Sequence, residues 1–389
     1  MRVQIGVDVL HREGFARLRS LRVGLFTNAR ATDSALVPTL ERFAQAQAVR
    51  LVALFAPEHG IFAAEADGAP IHTHTDARLG IPVHSLYGDT FRPTPAMLNE
   101  LDVMVCDIQD VGVRYYTFLW SLTEVIDACA ENGIPVLILD RPNPLGGRVY
   151  GAPLEEGFAS LVGRYNVPTQ HGMTIGEMAR YVNATLQAHQ ADIDVIPCEG
   201  WHRGMTFEQT QLAWVAPSPA MATPTTNAHY SGACLLEGTN ASEGRGTSHP
   251  FEVVGAPYIQ DPFTLAETLN DRLSDAWGVR FRPHAFKPTA SKFSGVLCYG
   301  VQAHILDRTR YNALVVWLEV IAHLRHTYAE FAWLPPYQEC GLRPFDRLIG
   351  SKRVRQQLDD GVAVADLSAG WQAYSDTFQQ ESQPFWLYE

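Results

Sequence analysis

Four segments of the chain share one pattern, a short apolar run that ends in a tight cluster of polar residues. They are residues 21–28 (LRVGLFTN), 51–60 (LVALFAPEHG), 102–110 (DVMVCDIQD) and 135–144 (PVLILDRPNP). Apolar runs of this length, without polar alternation, predict parallel strands buried on both faces. Helical spacing over residues 36–46 and 116–132, the latter closed by Asn132-Gly133, puts helices between them in a βαβ order. An open parallel sheet binds ligands in the crevice outside the carboxyl ends of its strands. That rule gathers Asn28, Glu58, His59, Asp107, Asp110, Asp140, Arg141 and Asn143 along one edge.

The pattern weakens further along the chain. Residues 61–80 read as a polar loop and 81–88 as a short strand. A helix is predicted within 171–189, where Thr174 and Glu177 have capping-box spacing, and a strand within 193–201. Residues 213–257 show little periodicity and many Gly, Pro, Ser and Thr, as in a functional loop. Residues 293–307 alternate like a strand and 311–328 read as a helix. Pro142, Pro144, Gly146 and Gly147 break regular structure. A chain of 389 residues exceeds one usual core, so two domains are expected, 1–153 and 154–389.

Composition narrows the function classes. Hydrophobic residues make up 46% and charged residues 19%, a globular balance, and the net charge of -12 argues against nucleic acid as a partner. The six cysteines form no CxxC pair and read as small buried hydrophobes. No apolar stretch approaches the roughly 18 residues of a membrane span. The N-terminus lacks the apolar region of a signal peptide, so a cytoplasmic location is expected. The sequence leaves a homodimer open.

Several clusters have the residue types for chemistry. Pro57 and Gly60 set a sharp turn that aims Glu58 and His59 outward, and apolar Phe55 and Ile61 beside the carboxyl suit a general acid. A Glu capping the next segment is the plainer reading. Asp107 and Asp110 follow a core strand, one a candidate for catalysis and one for structure. Arg114, Tyr115 and Tyr116 come next and suit a sugar site, although a helix start with buried tyrosines fits the same residues. Asp140, Arg141 and Asn143 suit either a turn-shaping ion pair or ligand contacts. Glu237, Asn240, Glu243 and Arg245 lie in a Gly-rich polar loop without P-loop spacing. His72, His74 and Asp76 alternate as metal ligands do, but in a surface-like loop, so no metal is expected.

The strings APEHG, SLYG, DIQDVG, YYT, LDRPNP, HGMTIGE, EGTN, SEGRGT and GVQ occur in order between Gly6 and Asp307. Together they resemble the exo-β-N-acetylmuramidase (NamZ-like) family, formerly a domain of unknown function. The resemblance implies an α/β fold: a Rossmann-like parallel-sheet N-terminal domain and a second α/β domain, with the active-site cleft between them. It implies a glycoside hydrolase that releases non-reducing-terminal N-acetylmuramic acid from β-1,4-linked peptidoglycan fragments, with no cofactor. Glu58 stands at the family's proposed catalytic glutamate and would protonate the leaving oxygen. Asp107 or Asp110 would orient the substrate's acetamido group, or Asp110 or Glu243 would activate water. His59 and His171 would bind sugar hydroxyls or tune Glu58. Arg114, Arg141, Arg245 and Lys292 are candidates for the lactyl carboxylate, with Arg245 favoured. Two positions depart from the family pattern: the acid of an AG(E/D)xV string is missing at Asp67-Gly68-Ala69-Pro70, and Ala220 replaces an Asn. A non-catalytic binding protein for an anionic sugar is the alternative. An esterase or amidase is disfavoured because no GxSxG elbow occurs.

Overall fold

The computed structural model describes residues 2–389 and contains two compact units. One comprises Met1–Arg148, His171–Pro219 and Gln379–Glu389, and the other Val149–Gln170 and Ala220–Phe378. The units are discontinuous in sequence, so the single boundary expected at residue 153 does not coincide with their division.

The first unit is built on seven strands: β1 (Arg22–Thr27), β2 (Arg50–Ala56), β3 (His74–Thr75), β4 (Pro82–Ser85), β5 (Val103–Asp107), β6 (Val136–Leu139) and β7 (Ile193–Ile196). Their order is β3-β4-β2-β1-β5-β6-β7, and every pairing is parallel except that of β3 with β4. The four expected strands are β1, β2, β5 and β6. β5 and β6 are buried along their whole length, as uninterrupted apolar runs require. From β1 the chain moves outward to β2 and β4, then returns to β5 on the other side of β1 and continues to β6 and β7. The strand order therefore reverses between β1 and β5, and right-handed crossovers in opposite directions put helices on both faces.

The second unit carries an antiparallel sheet, β8 (Val253–Ala256), β9 (Val279–Phe286) and β10 (Cys298–Ile305), in the order β8-β10-β9. The helix Pro262–Trp277 packs on β9. Helices Pro224–Ala233 and Ala313–Thr327 cross closely at Gly232, where a Cβ would lie 2.0 Å from the Ala313 carbonyl oxygen. The segment 213–257 is more ordered than expected. Thr223 accepts the Thr226 N–H and Pro224 opens a helix whose residues are mostly buried, so no amphipathic period marks it. Five of the six cysteines are buried and none is paired, while Cys340 is exposed.

Asp140 ties the first unit together. It follows β6, is fully buried, and accepts the Gly176 N–H at 2.8 Å, the Thr174 hydroxyl at 2.7 Å and the Tyr388 hydroxyl at 2.5 Å. It thus pins the start of helix Ile175–Thr185, whose Thr174–Glu177 capping box is formed, and the segment around Tyr388. Three donors from the protein occupy the carboxyl that was expected to bind sugar. Burial raises its pKa to about 6, against the pull of the three donors. The folded carboxyl keeps its proton to about pH 6, whereas the ordinary value is 3.8. The native state therefore binds more protons across that interval, and stability falls as pH rises through it. Comparing thermal or urea unfolding of wild type and Asp140→Asn, the stability difference should shrink by on the order of 3 kcal/mol from pH 4 to 6. It should then stay level above pH 7, and a constant difference from pH 4 to 7 would contradict this reading.

Candidate active site

The turn after β2 is built for a fixed carboxylate. The Gly60 N–H donates to the Pro57 carbonyl at 3.1 Å, and His59 and Gly60 both adopt left-handed backbone, with φ of 69° and 74°. Such a conformation is uncommon for a residue with a Cβ, and the turn is held by Ala64 and Glu65 N–H groups donating to the His59 carbonyl. Glu58 accepts the Thr117 hydroxyl at 2.7 Å on Oε2 and the Gly68 N–H at 2.9 Å on Oε1. Thr117 is the first residue of helix Thr117–Asn132, so the carboxyl is fixed against the start of that helix. Its residue is buried but keeps 8% of its surface exposed.

Around Glu58 the first unit assembles His59, Asp67, Asp110, Tyr116 and His171. The His59 Nδ1–H donates to the Glu65 carbonyl at 2.8 Å, which turns Nε2 toward Asp67 at 3.7 Å. Tyr116 is buried beside Ser218 and feels the charges of Asp110, Glu58 and Asp67. Burial pushes its phenol pKa well above the usual value. Asp110 accepts the Gly112 N–H at 2.7 Å on Oδ2, and Oδ1 has no hydrogen-bond partner. The Met173 N–H donates to His171 Nδ1 at 3.3 Å, which leaves the proton on Nε2. Nε2 lies 3.2 Å from Asp110 Oδ2, though not aligned for a hydrogen bond. Gly112 has a φ of 79°, and a Cβ there would lie 2.3 Å from Asn143 Oδ1, so only glycine keeps the Asp110 turn closed. Asn28, after β1, accepts the Arg30 and Ala31 N–H groups, while its buried Nδ2 has no partner.

Other expected site residues are committed to the fold. Asp107 is fully buried, accepts Arg141 Nε at 2.5 Å and Nη2 at 2.8 Å, and also accepts the Thr39 hydroxyl. Arg141 also donates to the Thr32 carbonyl at 2.9 Å. Asn143 donates to the Met173 carbonyl and accepts the Leu145 N–H, both at 2.9 Å. Arg114, a candidate for the lactyl carboxylate, is fully buried.

In the second unit the polar loop is a self-satisfied network. Lys292 donates to the carbonyls of Leu236, Thr239 and Ala241 at 2.8, 2.9 and 2.8 Å and pairs with buried Glu243 at 2.7 Å. Arg245 pairs with Glu237 at 2.7 Å and lies 5.0 Å over the Phe251 ring. Enclosure raises the Glu237 carboxyl, and Arg245 opposes the rise. Asn240 donates to the Glu330 carbonyl at 2.8 Å and accepts the Ala332 N–H at 2.9 Å. Asn240, Glu243, Arg245 and Lys292, the residues expected to hold a ligand, make these contacts within the protein. Asp76 caps its own turn through the Arg78 and Leu79 N–H groups. No three metal-ligating side chains come together among the described residues.

Sequence reasoning missed Thr117 and Gly68, the two donors to Glu58. Thr117 sits directly after the YYT tyrosines, at a helix start where a hydroxyl commonly serves the preceding turn. Gly68 donates through its backbone, which no residue pattern marks.

The family models described as exo-beta-N-acetylmuramidase NamZ, N-terminal and C-terminal, match residues 23–225 and 228–388. The chain is 39% identical over 383 residues to the peptidoglycan beta-N-acetylmuramidase NamZ of Bacillus subtilis, covering 98% of this chain and 90% of that one. Two crystal structures of DUF1343 family proteins from Bacteroides fragilis have the same fold. One has a TM-score of 0.88 at 32% identity and the other 0.78 at 27%, each covering 100% of this chain and 99% of its own.

The buried Asp107–Arg141 pair generates a stability test. Arg141→Met leaves a carboxylate buried without its cation and should cost about 3–5 kcal/mol in urea unfolding. Adding Asp107→Leu should recover most of that loss. A single variant as stable as wild type would show that the pair does not hold this edge.

Proposed function

The chain belongs to the exo-β-N-acetylmuramidase NamZ family, and we propose that it is a glycosidase of cell-wall turnover. It releases non-reducing-terminal N-acetylmuramic acid from β-1,4-linked peptidoglycan fragments, with Glu58 as general acid. The observation that carries the reading is the Glu58 carboxyl, fixed by Thr117 and Gly68 at the end of β2, with Tyr116 feeling both its charge and that of Asp110, whose Oδ1 is unfilled.

The unmet polar atoms suit a 2-acetamido sugar. Asp110 Oδ1 is an acceptor for the acetamido N–H. Asn28 Nδ2 is a donor for a sugar hydroxyl. Holding the acetamido group in this way aims its carbonyl oxygen at the anomeric carbon, the substrate-assisted route known among glycosidases. That oxygen attacks C1 as the C1–O bond to N-acetylglucosamine breaks, and the Glu58 proton passes to the leaving oxygen. Water then opens the oxazolinium intermediate at C1 and returns a proton to Glu58. His171, with its proton on Nε2, stands 3.2 Å from Asp110 Oδ2. The released sugar keeps the β configuration.

The test is Glu58→Gln assayed on a chromogenic N-acetylmuramide and on the MurNAc-GlcNAc disaccharide. Activity should fall about 100- to 10,000-fold with the fold unchanged by circular dichroism. NMR of the wild-type reaction should show β-N-acetylmuramic acid as the first anomer. Near-full activity in the variant would remove Glu58 from the chemistry. An α first product would move Asp110 to the activation of water. A wild type that binds the disaccharide but leaves it intact would be a binding protein.

A further inference from the structure

The switch point between β1 and β5 holds a second feature that the reaction leaves unused. An open pocket lies there, lined by residues that include Arg30, Thr32, Ser34, Gln109, Phe207 and Trp214. Its position is where open α/β sheets take ligands. Neither Glu58 nor Asp110 lines it.

Its charges decide what it takes. Asp33 is neutralised by Arg42 and accepts the Ala35 and Val37 N–H groups at 2.8 and 2.9 Å. Arg141, on the pocket wall, is neutralised by Asp107. Arg30 alone of these has a guanidinium with no partner among the described residues, and it is half-buried. One uncompensated cation remains, suited to a carboxylate through two parallel bonds. Trp214 supplies an aromatic face, set edge-on against Phe207 at 4.9 Å and 89°. Gln109 donates through Nε2 to the Asp110 and Pro142 carbonyls, so its Oε1 is left as an acceptor. An aromatic face, polar groups and one cation together recognise a sugar bearing an acid.

The pocket is also joined to the catalytic turn. The Ala29 N–H, next to Arg30, donates to the Ile61 carbonyl at 2.6 Å, three residues beyond Glu58. Gln109 precedes Asp110, and Trp214 stands four residues before Ser218, which lies beside Tyr116.

We infer that this pocket binds the carboxylate carried on the 3-O-substituent of the muramic acid, with Arg30 as its anchor and Trp214 as its apolar wall. The inference rests on the glycosidase reading and names the group that sets its specificity. The carboxylate comes either from the free lactyl group or from a peptide attached to it.

Arg30→Ala removes a side chain without protein partners, so the variant should melt as wild type does. Binding is read by intrinsic tryptophan fluorescence with four probes: N-acetylmuramic acid, its lactyl methyl ester, N-acetylglucosamine and muramoyl dipeptide. Wild type should prefer N-acetylmuramic acid to its ester and to N-acetylglucosamine. Arg30→Ala should lose that preference, with affinity and 1/KM for the muramide falling roughly 10- to 100-fold and kcat nearly unchanged. Arg30→Lys should restore part of it, and Trp214→Leu should weaken the three muramic acid probes and leave N-acetylglucosamine as in wild type. If only the dipeptide weakens in Arg30→Ala, the pocket serves the peptide carboxylate. If all four bind to Arg30→Ala as to wild type, the inference fails, and a wild type that still cleaves the muramide would show that the glycosidase reading survives it. A wild type that binds the probes without cleaving would fail the glycosidase reading instead.

Discussion

The buried ion pair between Asp107 and Arg141 joins the ends of β5 and β6, and through Thr39 and the Thr32 carbonyl it reaches the segment after β1. Three neighbouring strand ends are thus locked at the edge where the strand order reverses. Two charges out of water are costly unless each is matched and further bonded. Here every oxygen of Asp107 has a donor. The edge is rigid because leaving either charge unmatched would be costlier than keeping the turns in place.

That rigidity divides the polar residues of the edge into two groups. Asp107, Asp140, Arg141 and Asn143 have their hydrogen-bonding groups turned inward, and they shape the turns. Glu58 and Asp110 keep lone pairs in hand, Asn28 keeps a donor, and Arg30 keeps a charge. The left-handed backbone at His59 belongs to the same logic. An uncommon conformation there persists because Ala64, Glu65 and the sheet hold both sides of the turn.

The strands and their polar ends were legible in the sequence because burial on both faces leaves unbroken apolar runs. The allocation of the acids was not. Glu58 and Asp140 look alike in sequence, each polar after a buried strand, and what separates them lies far off along the chain. Asp140 is filled by Thr174, Gly176 and Tyr388, which are 34, 36 and 248 residues away. Arg245 stood out because glycines flank it, yet Glu237 and Phe251 occupy it, while Arg30 carried no local signal. The helix at Pro224–Ala233 escaped notice because burial on most sides erases the amphipathic period.

The central claim is that Glu58 meets the scissile oxygen at the end of β2. A crystal structure of Glu58→Gln with intact MurNAc-GlcNAc tests it most directly. The glycosidic oxygen should lie about 2.6–3.2 Å from the side-chain amide of residue 58, with the acetamido nitrogen on Asp110 Oδ1. A disaccharide bound in the first unit with residue 58 touching no atom of it would contradict the account.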